Sequence, residues 1–178
     1  NMDSIRRFCE SAGITEKDSV DNVLQKVYIY FLENYPYTLH PGATPRDEDY
    51  VNYFLDTTKK GLCANYATAG ALILRYMGIP TRYVEGYAVD YTEVLDGTMI
   101  DEEQFSYDDY YSGSSELGRT AVVQVDVDDG GAHAWIEAFI RGRWQVVELT
   151  PPSSEDEDET QDDFWSRFGS CLLYTSPS

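Results

Sequence analysis

Positive charge is scarce in this sequence. Thirteen Lys and Arg stand against 32 Asp and Glu, a formal charge of −19, which argues against nucleic acid or an anionic membrane surface as a partner. Histidine is limited to His40 and His133, and cysteine to Cys9, Cys63 and Cys171. These are too few soft ligands for a zinc site and too few thiols for a disulfide framework. Asp126, Asp128 and Asp129 precede Gly130-Gly131 without the spacing of an EF-hand, so they read as a plain turn. No metal and no cofactor is expected. Apolar runs stay short of the roughly 20 residues that a membrane helix needs, and no signal peptide is visible. Because the sequence starts at Asn1 it reads as a fragment, and membrane contact is expected only through segments outside it.

What is present is enough to build a core. Hydrophobic residues make up 42% of the chain and aromatics 14%, with fifteen Tyr, the composition of a folded globule. A length of 178 residues suits one domain. That domain is expected at residues 18–152, after a stretch 1–17 that reads as the end of a preceding segment. Ser153 to Asp163 is rich in Asp and Glu and has no apolar residue, so residues 153–170 read as a solvated linker. Residues 171–178 resemble a translated sequencing adaptor and are set aside from fold reasoning.

The chain is organised around Gly61-Leu62-Cys63-Ala64-Asn65-Tyr66-Ala67. From Cys63 to Met77 the residues are mostly small or apolar, the pattern of a helix buried on nearly every face. Gly61 supplies a turn into it, and Gly78-Ile79-Pro80 reads as its stop. Cys63 therefore sits in the first turn, where unpaired N–H groups and the helix dipole favour a thiolate. Position alone leaves two readings open, a small packing residue or a nucleophile.

Upstream, Asp18 or Ser19 is expected to cap a helix running to Asn34, and Asp47 to Asp56 a short one. Downstream, residues 81–89 alternate as a strand. Residues 90–119 read as a long acidic, Tyr-rich loop with at most one helical turn. Thr120 to Val127 is β-branched, and residues 132–140 and 144–149 read as a hairpin around Arg141-Gly142-Arg143. On its first strand His133, Trp135, Glu137 and Phe139 share one face. The architecture expected is α+β, with the Cys63 helix packed on an antiparallel sheet.

A cysteine nucleophile needs a base, and the base needs a group that fixes its tautomer. Cys63, His133 and Glu148 can fill these roles. Glu148 lies between Val147 and Leu149, where a carboxylate is costly to bury without a partner. Odd-sum pairing across the hairpin puts His133 and Glu148 on one face. A tight turn at Gly142-Arg143 would set Glu148 opposite Glu137, roughly 13 Å along the strand from His133. A bulge or wider turn near Arg141 to Trp144 is then expected to shift the register.

Gly61-x-Cys63-x-x-Tyr66-Ala67, the run Leu74 to Tyr87, His133-Ala134-Trp135-Ile136-Glu137 and Trp144 to Pro151 together resemble the transglutaminase-like superfamily, of papain-like fold and here of bacterial type. The resemblance covers roughly residues 20–152. It implies a Cys–His–acid triad of Cys63, His133 and Glu148, with Glu148 standing where the family usually has Asp. It implies acyl transfer on amide bonds of a protein, peptide or cell-wall substrate through a thioester, with the backbone N–H of Cys63 in the oxyanion hole. It also implies an extracytoplasmic domain tethered to a membrane in the full-length protein. Trp135 and Trp144 read as core, and Trp135, Tyr110 and Tyr111 are candidates for a substrate groove. The alternative is a catalytically silent module that binds peptides in the same cleft.

Overall fold

The computed structural model describes residues 2–89, 91–100 and 122–152. Helix α1 (Met2–Ser11) and helix α2 (Val20–Asn34) come first. Ser19 caps α2 by accepting a hydrogen bond from the Asn22 N–H at 3.2 Å, satisfying one of the donors that a helix start leaves open. Asp49 does the same for the short helix α3 (Tyr50–Asn52), which runs on into a π turn over Tyr53–Thr58. Helix α4 (Cys63–Tyr76) follows, and Gly78 at φ +77° lets the chain turn away from it.

Strands β1 (Thr81–Tyr87), β4 (Ala132–Ile140) and β5 (Arg143–Val147) form an antiparallel sheet in the order β1-β4-β5. Between β1 and β4 lie helix α5 (Tyr91–Asp96), strands β2 (Thr98–Ile100) and β3 (Val122–Gln124), which pair with each other, and a 3-10 turn at Asp129–Gly131. The expectation of at most one helical turn after residue 90 is therefore corrected. Tyr91–Asp96 is a six-residue helix, and Thr98–Ile100 is a strand whose partner is β3. Residues 101–119 of the expected loop lie outside the described residues.

One core unites these elements. Ile5, Phe8 and Cys9 of α1 join Val27 and Phe31 of α2 and Ile73 and Leu74 of α4 in it. Ile14, just past α1, joins the same core. Arg7 and Ser4 fasten α1 to Asp56 of the π turn, each at 2.6 Å. Around α4, the rings of Phe31 and Phe54 each meet Tyr66 edge-on at 5.3 Å, the geometry aromatic quadrupoles favour. The Tyr66 hydroxyl donates to the Tyr35 carbonyl at 2.8 Å, and that of Tyr35 to the Leu55 carbonyl at 2.9 Å. Both buried hydroxyls are thus satisfied; the start of α4 is tied to the C-cap of α2, and that cap to the π turn.

On its other side α4 packs on the sheet through Gly70. A Cβ there would stand 2.3 Å from Leu149 Cδ1, so the glycine makes the room in which Leu149 sits. The hairpin between β4 and β5 corrects a second expectation. Ile140 pairs with Arg143, leaving a two-residue turn of Arg141 and Gly142 at φ +54° and +82°. That left-handed pair is the type I′ turn, whose twist matches the strands. No bulge is present there, and the last ladder pair is Ile136 with Val147.

Candidate functional site

The approach to Cys63 is braced before the helix begins. Tyr37 forms a parallel bridge with Gly61, and the Thr38 N–H donates to the Gly61 carbonyl at 2.8 Å. Leu62 is the extended cap residue; its N–H donates to Asn65 Oδ1 at 3.0 Å, while the Asn65 N–H donates back to its carbonyl at 2.8 Å. Gly61 is required here, since a Cβ would stand 2.6 Å from the Asn65 Cβ. Cys63 is the first helical residue, at the positive end of α4.

His133 comes from β4, opposite Gly86 of β1. Its Nε2 lies 2.5 Å from Oε2 of Glu148. Glu148 is 3% exposed, and its other oxygen accepts from the Thr150 N–H at 2.7 Å. Both carboxylate oxygens are used, which is how a buried carboxylate avoids its desolvation cost. Continued one step past Val147, the observed register sets Glu148 opposite Trp135, two residues from His133 and not four.

The imidazole of His133 acts on the thiol of Cys63. Burial by itself would push the thiol up. The His133 hydrogen bond and charge, with the backbone N–H groups of Ala134 and Ala64, outweigh it, so the Cys63 pKa lies below its ordinary value. Ala134 pairs with Glu85 of β1 and lies beyond the end of the β4–β5 ladder. Burial would likewise depress the imidazolium, but hydrogen bonds to Cys63 and Glu148 raise His133 from 6.5 to about 10. Thiolate and imidazolium sustain each other. Cys9 is the contrast: it is buried, and desolvation followed by the charge of Glu10 raises it to about 11.

Three tyrosines feel the charge of the sulfur. Tyr37, Tyr50 and Tyr83 are each raised by burial first, and the charge of Cys63 adds to the effect in every case. The Tyr83 hydroxyl donates to Glu85. Sequence reasoning missed this set, because its members come from three segments and no local pattern links them. Trp135 is 2% exposed and stacks on His133 with centroids 6.2 Å apart at 17°. It backs the imidazole and is core, whereas Trp144, also read as core, is 42% exposed and lies under the Arg82 guanidinium at 4.5 Å. Tyr110 and Tyr111 lie outside the described residues. Among the described residues no group of three metal-capable side chains occurs, and no helix is long and apolar enough to cross a membrane.

A buried helix with cysteine at its N-terminus, laid on an antiparallel sheet that brings up a histidine and a carboxylate, defines the papain-like class of fold. Residues 10–149 match the family model of the transglutaminase-like superfamily, and the chain belongs to that superfamily. It is 28% identical over 171 residues to YebA of Bacillus subtilis, covering 90% of this chain and 20% of that protein. It is 51% identical over 55 residues to the protein-glutamine gamma-glutamyltransferase of Pseudomonas aeruginosa, which covers 31% of this chain and 8% of that enzyme. The crystal structure of the periplasmic domain of TgpA from Pseudomonas aeruginosa bound to ethylmercury superposes with a TM-score of 0.55 at 26% identity, over 88% of this chain and 46% of that one. The chain thus spans a fifth or less of the two curated relatives.

Proposed function

We propose that this domain is an enzyme that transfers acyl groups from amide bonds through Cys63, His133 and Glu148. The observation that carries the reading is His133 Nε2 held 2.5 Å from the buried carboxylate of Glu148, on an imidazole that in turn lowers the Cys63 thiol at the start of α4. The thiolate attacks the amide carbonyl carbon, and the resulting oxyanion accepts from the Cys63 backbone N–H. As the C–N bond breaks, the imidazolium gives its proton to the leaving nitrogen and a thioester remains. Neutral His133 then takes a proton from water or an amine as that nucleophile attacks, and the thiolate leaves. Glu148 holds the ring in the productive tautomer throughout. The substrate class is a protein, peptide or cell-wall amide, and the outcome is hydrolysis or transamidation. The periplasmic origin of the TgpA domain supports an extracytoplasmic setting for this chain too.

The test is to trap the acyl-enzyme. A panel of glutaminyl peptides and cell-wall peptide amides should give a mass increment on Cys63 that hydroxylamine removes. The increment should vanish in Cys63→Ala and His133→Ala. Reversible peptide binding with no increment for any member would instead favour a silent binding module.

A further inference from the structure

A cavity of about 330 Å³ opens beside the nucleophile's helix, lined among others by Thr44, Tyr50, Tyr53, Phe54, Leu62 and Asn65. Its size falls at the lower end of small-molecule sites, which run to about 300–1,000 Å³. It adjoins the reaction centre at two points. Leu62 immediately precedes Cys63, and the Tyr50 hydroxyl feels the Cys63 charge. None of the lining side chains is charged, although the chain carries −19 overall. A charged group entering would lose its hydration with no counter-ion to replace it.

The cavity also holds one unspent donor. Asn65 is 6% exposed, and its Oδ1 is committed to the Leu62 N–H, which fixes the orientation of the carboxamide. Its Nδ2 has no hydrogen-bond partner among the described residues. It is not among the buried unpartnered atoms of the described residues, so it meets solvent from the cavity, and a ligand carbonyl would take the place of that water.

We propose that this cavity is a specificity pocket that receives an uncharged aromatic or aliphatic side chain of the substrate next to the attacked carbonyl. The ring walls of Tyr50, Tyr53 and Phe54 bury that side chain, and a backbone carbonyl of the same residue accepts from Asn65 Nδ2. The assignment rests on Cys63 as the nucleophile only for its role. The pocket's preference is a separate observable.

N-acetyl amides of Phe, Leu, Asp and Lys, titrated by NMR against the whole chain, make the test. Phe and Leu should bind at least tenfold more tightly than Asp and Lys. Thr44→Trp, which fills the cavity from its rim, should abolish that binding while the rate of Cys63 alkylation by iodoacetamide stays within twofold. Equal affinities, or tighter binding of the Lys amide through the chain's negative charge, would overturn the pocket. Flat affinities with rapid alkylation leave the nucleophile standing without the pocket. A clear Phe and Leu preference with sluggish alkylation keeps the pocket and removes the nucleophile.

Discussion

Glu148 reaches His133 from just beyond the end of its strand, its Oε2 2.5 Å from Nε2 while Oε1 is held by the Thr150 N–H. A carboxylate gripped at both oxygens has one orientation, and it passes that orientation to the imidazole. Glu148→Gln keeps the shape but can present an N–H to Nε2 and favour the wrong tautomer. Acyl-enzyme formation should fall by roughly 10³–10⁴ with little loss of fold by circular dichroism. Glu148→Asp should retain an intermediate rate. A Gln variant with native rates would remove Glu148 from the mechanism.

The two described cysteines should separate under alkylation. With its pKa depressed, Cys63 should react with iodoacetamide near neutral pH faster than a free thiol, whose pKa is about 8.5. Cys9, buried and raised to about 11, should react only when the chain unfolds. His133→Ala should slow Cys63 by tenfold or more. Mass spectrometry of digests after timed labelling reads all three, and equal rates at Cys63 and Cys9 would sink the ion-pair description.

A sharper signature lies in stability against pH. The folded-state pKa of His133 is raised from 6.5 to about 10, so its contribution is complete below 6.5 and is lost as pH rises through about 10. Cys63 runs the other way. Its pKa is lowered from 9.0, so its contribution is present above 9.0 and is lost as pH falls through the folded value. Between the folded-state value of Cys63 and 9.0 the two slopes oppose each other. In Cys63→Ala the opposing slope is gone and His133 keeps only the part of its shift that Glu148 sustains, so the Tm of that variant should decline relative to the native chain as pH rises from 6.5, over a narrower range than the native His133 value sets. Parallel Tm curves would show that no proton passes between the two residues.

Gly70→Ala tests the contact between α4 and the sheet. The added Cβ would stand 2.3 Å from Leu149 Cδ1, and Leu149 is itself 2% exposed. Overpacking of this kind costs about 1–3 kcal/mol, read as a lower denaturation midpoint. Because Leu149 adjoins Glu148, alkylation of Cys63 should slow as well. An unchanged midpoint would mean that Leu149 has room to repack.

Much of the site was legible because its members carry local signals. Cys63 opens an apolar run bounded by glycines, His133 opens a strand, and Glu148 is a carboxylate out of place among aliphatic neighbours. Strand parity gave their common face. The register was misread because the turn was expected at Gly142-Arg143, whereas a non-glycine, Arg141, takes the left-handed φ. Helix α5 was too short for its period to stand out. The placing of Tyr37, and the cavity lined by Tyr50 and Asn65, depend on tertiary approach, which leaves no trace in any window of the sequence.

The turn at Arg141 and Gly142 touches nothing in the site, yet it acts as a phase counter for it. From Gly142 to Glu148 the chain runs about 20 Å, and each residue along the way reverses the side from which the next side chain projects. Two residues in the turn bring Glu148 out on the side of His133. Were Arg143 drawn into the turn so that Ile140 paired with Trp144, Leu149 would come to the imidazole and the carboxylate would turn toward Gly70. The phase of a distant loop tip is thus part of the site's specification, and a change there that slips the strand by one residue would be a loss-of-function change that leaves every residue of the site intact.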